Sequence, residues 1–350
     1  MFWVAYYSVF LTFLFLAKKY KNIHLLLLFI MIFFMGQRWM TGEDFPGYLL
    51  YYVSGFEGVD FTFFWFQNFF SSSGFSFSLF IFFTYAITLL LTYKFINRFQ
   101  NSAFVFVLFI ITELAFIQLS QIKQSLAIPF FLFAFYFIYN KKVLLGMVFA
   151  MLASSIHVGT IFLLPFLFFR VLCRKDYLNL ILFIICFLPL LDVTAFIPSA
   201  LYFKFSHYLD GQYNQPLSYY HYFKLYGVII LFLLLYQVNT SSFLERNRFL
   251  ITGFIIYLFL YSISFKFAPL MRLSYYFRIF EVLVFVNLAM GANLRQVFSV
   301  IVVLFYSLSF LVISLVDPYN VSRYSFDFVN LYETKTEAEL RFEIEQFYEE

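Results

Sequence analysis

Long apolar runs broken by short clusters of lysine and arginine set the pattern of this chain. The runs lie near 2–17, 23–36, 75–96, 103–120, 122–139, 143–156, 159–172, 177–197, 223–238, 247–264, 271–290 and 296–316. About 20 apolar residues are enough for a helix to cross a hydrocarbon core about 30 Å thick. Lipid offers the backbone of an open chain no hydrogen-bond partner except its own helix. The pattern therefore predicts an all-α, polytopic membrane protein with about twelve transmembrane helices. Two stretches interrupt the rhythm, 37–74 and 198–222, and read as longer loops. Residues 1–316 read as one membrane-embedded domain, and 317–350 as an acidic C-terminal tail. In that tail Leu340, Ile344 and Phe347 recur at helical spacing after Thr336, which fits a solvated helix or frayed end. The sharper reading of the same spacing is a helix that docks on a partner or a neighbouring subunit.

Composition confirms the class. Of 350 residues 63% are hydrophobic and 12% charged, with mean hydropathy +0.85. Soluble domains average about 25% charged residues, so a soluble fold is excluded. The net charge of +4 is dispersed and implies no nucleic-acid partner. No basic residue precedes the first apolar run and no small-residue cleavage site follows it, so it reads as a span and not as a removable signal. Cys173 and Cys186 form no CxxC pair and lie near no histidine. With clustered carboxylates also missing, no metal and no cofactor is expected.

Charge then orients the chain. Lys18, Lys19, Lys21, Lys94, Arg98, Lys141, Lys142, Arg170, Arg174, Lys175, Arg246, Arg248 and Arg295 fall in one set of connections. They outnumber Arg38, Lys123, Lys204, Lys224, Lys266, Arg272 and Arg278 on the other side, which also has the longer loops. By the positive-inside rule the first set is cytoplasmic. The 37–74 and 198–222 loops and the tail then face outward.

The outer charges lack that topological excuse. A charge within a span costs roughly 2.5–3.5 kcal/mol on insertion scales and normally faces a cavity or a partner. Arg38 and Asp44 in "GQRWMTGEDFPGY", Lys123 with Gln124 in "QIKQSLAIPF", His157 in "SSIHVGT", and Arg272 with Arg278 in "PLMRLSYYFRIFE" all fall on the outer face and suggest one pocket. Each has a structural alternative. Arg38 would snorkel from a helix end, Asp44 would cap the helix that follows, Lys123 would be a loop lysine, and His157 a helix-end histidine. Glu113 reads as a hydrogen bond between helices. At about 100° per residue Arg272, Tyr275 and Arg278 share a sector of roughly 120° on one helix, and Arg278 could pair with Glu281 three residues on. Guanidinium forks bind phosphate oxygens bidentately, so the two arginines with Tyr275 suit a phosphate-bearing ligand.

At "RWMTGEDFPGY", "QIKQSLAIPFFLFAFYF", "SSIHVGTIFLLPF" and "RLSYYFRIFE" the chain resembles the EpsG-like branch of the Wzy-type O-antigen and capsule polymerases, in order and rough spacing over residues 30–320. Lys123 stands where that branch usually has Arg, and Phe45 follows the Asp, with Tyr48 further on. The resemblance implies a membrane glycosyltransferase of the GT-C superfamily fold in the bacterial plasma membrane, with its active site facing outward. It implies transfer of an undecaprenyl pyrophosphate-linked glycan to a hydroxyl of another lipid-linked repeat unit, with membrane lipid and a chain-length regulator (co-polymerase) as partners. His157, then Asp44, would take the acceptor proton. Arg38, Tyr48, Lys123, Gln124, Arg272, Tyr275 and Arg278 would hold pyrophosphate or sugar. A membrane acyltransferase or O-antigen ligase-like transferase, and a lipid-linked oligosaccharide flippase, are the alternatives. A flippase should show internal repeats or matched broken helices, and the sequence shows neither clearly.

Overall fold

A computed structural model describes residues 8, 12–13, 16, 20, 22–42, 44–55, 58–110, 121–171, 175–192, 219–292, 295–316, 325–326, 331–333 and 335–349. Glu113, Cys173, most of the 2–17 run, residues 111–120 of the 103–120 run and nearly all of the 198–222 loop lie outside them. In chain order the elements are α1 (Ile23–Gly36), β1 (Arg38–Trp39), α2 (Phe45–Ser54), α3 (Phe61–Ser72), α4 (Phe77–Ile96), α5 (Ser102–Phe109), α6 (Ile122–Tyr139) and α7 (Val143–Ile156). A 3₁₀ segment, Val158–Phe168, follows. Then come α8 (Lys175–Phe187), α9 (Tyr219–Gln237), α10 (Ser241–Arg246), α11 (Arg248–Ile263), α12 (Met271–Ser274), α13 (Ile279–Gly291), α14 (Arg295–Val316), β2 (Ser325–Phe326) and α15 (Glu337–Glu349). Among the described residues the regular elements are thus helices, apart from one two-residue ribbon and an isolated bridge between Phe75 and Tyr332. The chain forms two compact units, Met1–Phe162 with Phe310–Glu350, and Leu163–Ser309.

Four helical stretches are long and apolar enough to cross a membrane, Phe77–Ile96, Ile122–Tyr139, Tyr219–Gln237 and Arg248–Lys266, and shorter apolar helices accompany them. Many of their outward side chains are large and apolar, among them Phe33, Leu144, Met151, Phe183 and Ile230. Water would not tolerate a surface of that kind, whereas hydrocarbon suits it. The protein is membrane-embedded.

In the first unit α6 and α7 form a close antiparallel hairpin. Gly146 makes this possible, since a Cβ there would meet Ile138 Cγ1 at 2.4 Å. α1 and α6 both pack on α4, and a cluster of Phe45, Phe63, Phe77 and Phe80 fills the space where α2, α3 and α4 meet. In the second unit α11 and α13 are buried along most of their length. Phe254 meets Phe285 with ring centroids 5.6 Å apart, and Phe249 meets Phe280 at 5.4 Å.

The tail departs from the expectation of a solvated appendage. α15 packs on α2 with Leu340 and Ile344 buried, and β2 pairs antiparallel with β1. The apolar stripe read in the sequence does cover a surface, and that surface belongs to this chain.

Candidate functional site

Arg38 follows α1 after a single residue and is 1% exposed. Its Nη1 donates to the Thr41 carbonyl at 3.1 Å and its Nη2 to the Tyr85 hydroxyl at 2.9 Å. The guanidinium carbon sits 4.8 Å from the Tyr85 ring centroid and 5.5 Å from that of Phe45. A snorkelling side chain would reach toward the headgroups; this one is enclosed by aromatic rings. Asp44 occupies the N-cap position of α2, yet its side chain makes no capping hydrogen bond. Its charge instead falls within reach of Tyr85, whose hydroxyl also bonds the Ser125 side chain on α6.

Two residues before Ser125, Lys123 is held by a residue the sequence reading passed over. Asp60, 3% exposed, takes the Lys123 ammonium on Oδ2 at 2.5 Å and the Val158 backbone N–H on Oδ1 at 2.7 Å. The ammonium also lies 5.6 Å from the Tyr48 ring centroid and 5.2 Å from that of Phe64. Lys123 is therefore not an ordinary loop lysine. One signal for Asp60 was available: a lone carboxylate in "GVDFTFF", beside an aromatic helix, needs a cation or several donors. Gln124 is buried next to Lys123.

His157 ends α7, with extended backbone at φ −145°. Its carbonyl accepts from the Thr160 N–H at 3.0 Å, and its ring lies over Gly159, where a Cβ would meet Cε1 at 2.7 Å. Asp60 thus ties the Lys123 ammonium to the turn that carries His157. Thr62 adds a second tie, donating to the Ser155 hydroxyl at 2.8 Å. Arg38, Asp44, Tyr48, Lys123, Gln124 and His157 all belong to the first unit.

Arg272, Tyr275 and Arg278 belong to the second, and the structure corrects their expected geometry. They do not share one regular helix. The helix gives way between α12 and α13, where Phe277 bonds back to Ser274 at 3.0 Å and Arg278 to Tyr275 at 3.4 Å. Such i→i+3 bonding eclipses positions three apart, so Arg278 stands over Tyr275, 5.9 Å from its ring centroid. Tyr276, Phe277, Arg278, Ile279 and Phe280 are all buried in succession. Arg272 is exposed. The alternative, a hydrogen-bonded Arg278–Glu281 pair, does not form: Glu281 is 0% exposed and neither of its carboxylate oxygens accepts a hydrogen bond. The sequence reading also missed His221, whose Nδ1 lies 2.8 Å from the Tyr261 hydroxyl, within electrostatic reach of Lys224 and Arg278.

Chemically, the first unit offers two enclosed cations, two carboxylates and an imidazole. The second offers a basic cluster around a broken helix. Among the described residues no three His, Cys, Asp or Glu side chains come together to hold a metal ion. No curated protein and no solved structure matches the chain. The sequence pattern of the EpsG family matches residues 21–326, across both sets of site residues, and the chain belongs to the EpsG family.

Proposed function

We propose that this protein is a polysaccharide polymerase that uses a lipid-linked donor on the outer face of the bacterial plasma membrane, with about twelve crossings and a GT-C-like architecture. Membership of the EpsG family supports glycosyl transfer in polysaccharide biosynthesis. The observation that carries the reading to chemistry is the Asp60 bridge, which places a cation, Lys123, beside the turn of a candidate base, His157.

The reaction joins two lipid-linked repeat units. An acceptor hydroxyl attacks the anomeric carbon of the sugar attached to undecaprenyl pyrophosphate. The C–O bond to the pyrophosphate breaks, and the hydroxyl proton passes to His157, or to Asp44 as second choice. Pyrophosphate leaves with its charge and needs cations more than a proton. Arg38 and Lys123 in the first unit, and Arg272 and Arg278 in the second, supply candidate cations. Tyr48, Gln124 and Tyr275 offer hydrogen bonds and ring faces to sugar. Lipid is the second partner, and a co-polymerase that sets chain length is the third.

Deleting the gene and resolving surface polysaccharide on a gel tests this. Loss of the ladder with single-repeat product retained is the expected outcome. A ladder of normal length would overturn the proposal. Loss of all surface glycan would favour a flippase, and normal polymer lacking acyl groups would favour an acyltransferase.

A further inference from the structure

The C-terminal segment grips the residue next to Arg38. β2 pairs with β1 so that Phe326 lies opposite Arg38 and Ser325 opposite Trp39. Further on, the Leu331 carbonyl accepts from the Ser76 N–H at 3.3 Å, and the Glu333 carboxylate accepts from the Phe77 N–H at 3.3 Å. The rings of Phe75 and Tyr332 stack at 5.9 Å. Trp39 is then enclosed from the tail side. Its Nε1–H donates to Glu343 Oε2 at 2.9 Å, and the Lys335 ammonium lies 4.2 Å from its ring centroid. Lys335 Nζ in turn meets Glu343 Oε1 at 2.9 Å. Edge contacts from Phe45 at 5.6 Å and Phe77 at 6.4 Å close the other sides.

The chain beyond Trp39 depends on that grip. Met40 has φ 44°, a left-handed conformation that a side chain adopts only where its surroundings over-determine it. The turn it makes brings the Thr41 carbonyl back to accept from Arg38 Nη1, while the Thr41 hydroxyl donates to the Trp39 carbonyl at 2.9 Å. The guanidinium of Arg38 is therefore aimed by a turn whose first strand is fixed from the tail.

We propose that Lys335 and Glu343 are positioning residues for Arg38: by clamping the Trp39 indole they hold the β1 turn that sets where the guanidinium points. The proposal rests on the polymerase reading. Neither residue would touch the reacting atoms. Helix α15, which carries Glu343, lies beyond the part of the chain that matches the family, whereas Arg38 lies within it.

The test is a double-mutant cycle in full-length protein reconstituted into lipid. The probe is the undecaprenyl pyrophosphate-linked repeat unit extracted from the deletion strain. Glu343→Leu should lower kcat about tenfold or more, since small misplacements of a catalytic group are costly, with KM changed by less than about threefold. Glu343→Gln, which keeps an acceptor for the indole N–H, should retain most of the rate. Arg38→Ala combined with Glu343→Leu should be no slower than Arg38→Ala alone, because the tail acts only through Arg38. If Glu343→Leu fails to fold, Lys335→Met enters the same cycle. Losses that multiply, full activity in Glu343→Leu, or full activity in Arg38→Ala would each overturn the proposal. A Phe75→Cys/Tyr332→Cys pair reports tail docking by disulfide formation, independently of activity. A Phe75→Cys/Tyr332→Cys protein that cross-links, together with unaltered protein that makes no polymer, removes the polymerase reading, and the positioning role with it. Unaltered protein that polymerises while the losses multiply removes the positioning role alone.

Discussion

At the residue scale the decisive feature is Asp60, which satisfies two groups at once. The Lys123 side chain keeps 20% of its exposure and that of Asp60 only 5%, so the pair is held largely out of water. Removing one member of such a pair leaves an uncompensated charge, which costs about 3–5 kcal/mol when burial is complete. Asp60→Asn should fall at the low end, about 3 kcal/mol, because Lys123 retains some solvent. Lys123→Met in the same chain removes the stranded ammonium and should recover most of that loss. Thermal unfolding of the detergent-solubilised variants would show it as a lowered midpoint for the single change and a partial return for the double one. A single variant no less stable than the double would mean that the ion pair contributes nothing to the fold. Lys123, Arg38 and His157 were each legible as odd polar residues in an apolar chain. Their partners were not, because Asp60 and Lys123 stand 63 positions apart and no periodicity links them.

At the element scale the same contrast recurs. The runs at 75–96, 122–139 and 247–264 foretold Phe77–Ile96, Ile122–Tyr139 and Arg248–Lys266 closely, because lipid leaves a long apolar segment only one backbone solution. The break between α12 and α13 was not legible, since no proline or glycine stands within residues 271–279 to mark it. The tail helix was half legible. Thr336 and Glu339 form a capping box at its start: the Glu339 carboxylate accepts from the Thr336 N–H at 2.7 Å and from its hydroxyl at 2.8 Å, and Thr336 Oγ1 accepts from the Glu339 N–H at 3.3 Å. The two bonds from Thr336 hold the Glu339 carboxyl below its ordinary value of 4.5. A depressed value means that the folded helix favours the charged form. The contribution of the box is therefore complete above pH 4.5 and is lost as pH falls through the lower folded value. Limited proteolysis of the tail should accelerate on acidification below that point in the unaltered protein. In Glu339→Gln the step attributable to this carboxyl should disappear. An unchanged acid step in Glu339→Gln would assign it to another group.

At the scale of the whole molecule, docking of the tail fixes a relation that hydropathy can only suggest. α15 packs on α2, and Leu331 and Glu333 bond to Ser76 and Phe77, so the 37–74 stretch and the tail share one side of the membrane. The chain between them must cross an even number of times, whatever the exact count of spans. The proposed orientation, drawn from charge bias, puts both outside, and the outward polymerase reading depends on that side. Cysteine labelling separates the two claims. In a chain whose Cys173 and Cys186 are replaced by alanine, Ser72→Cys and Glu345→Cys both present exposed positions. Each should react with a membrane-impermeant maleimide in intact spheroplasts. Reaction at one site with protection at the other would contradict the docking of the tail. Protection at both until the membrane is opened would keep the docking and reverse the orientation, placing Arg38 and His157 on the cytoplasmic side and overturning the outward reading.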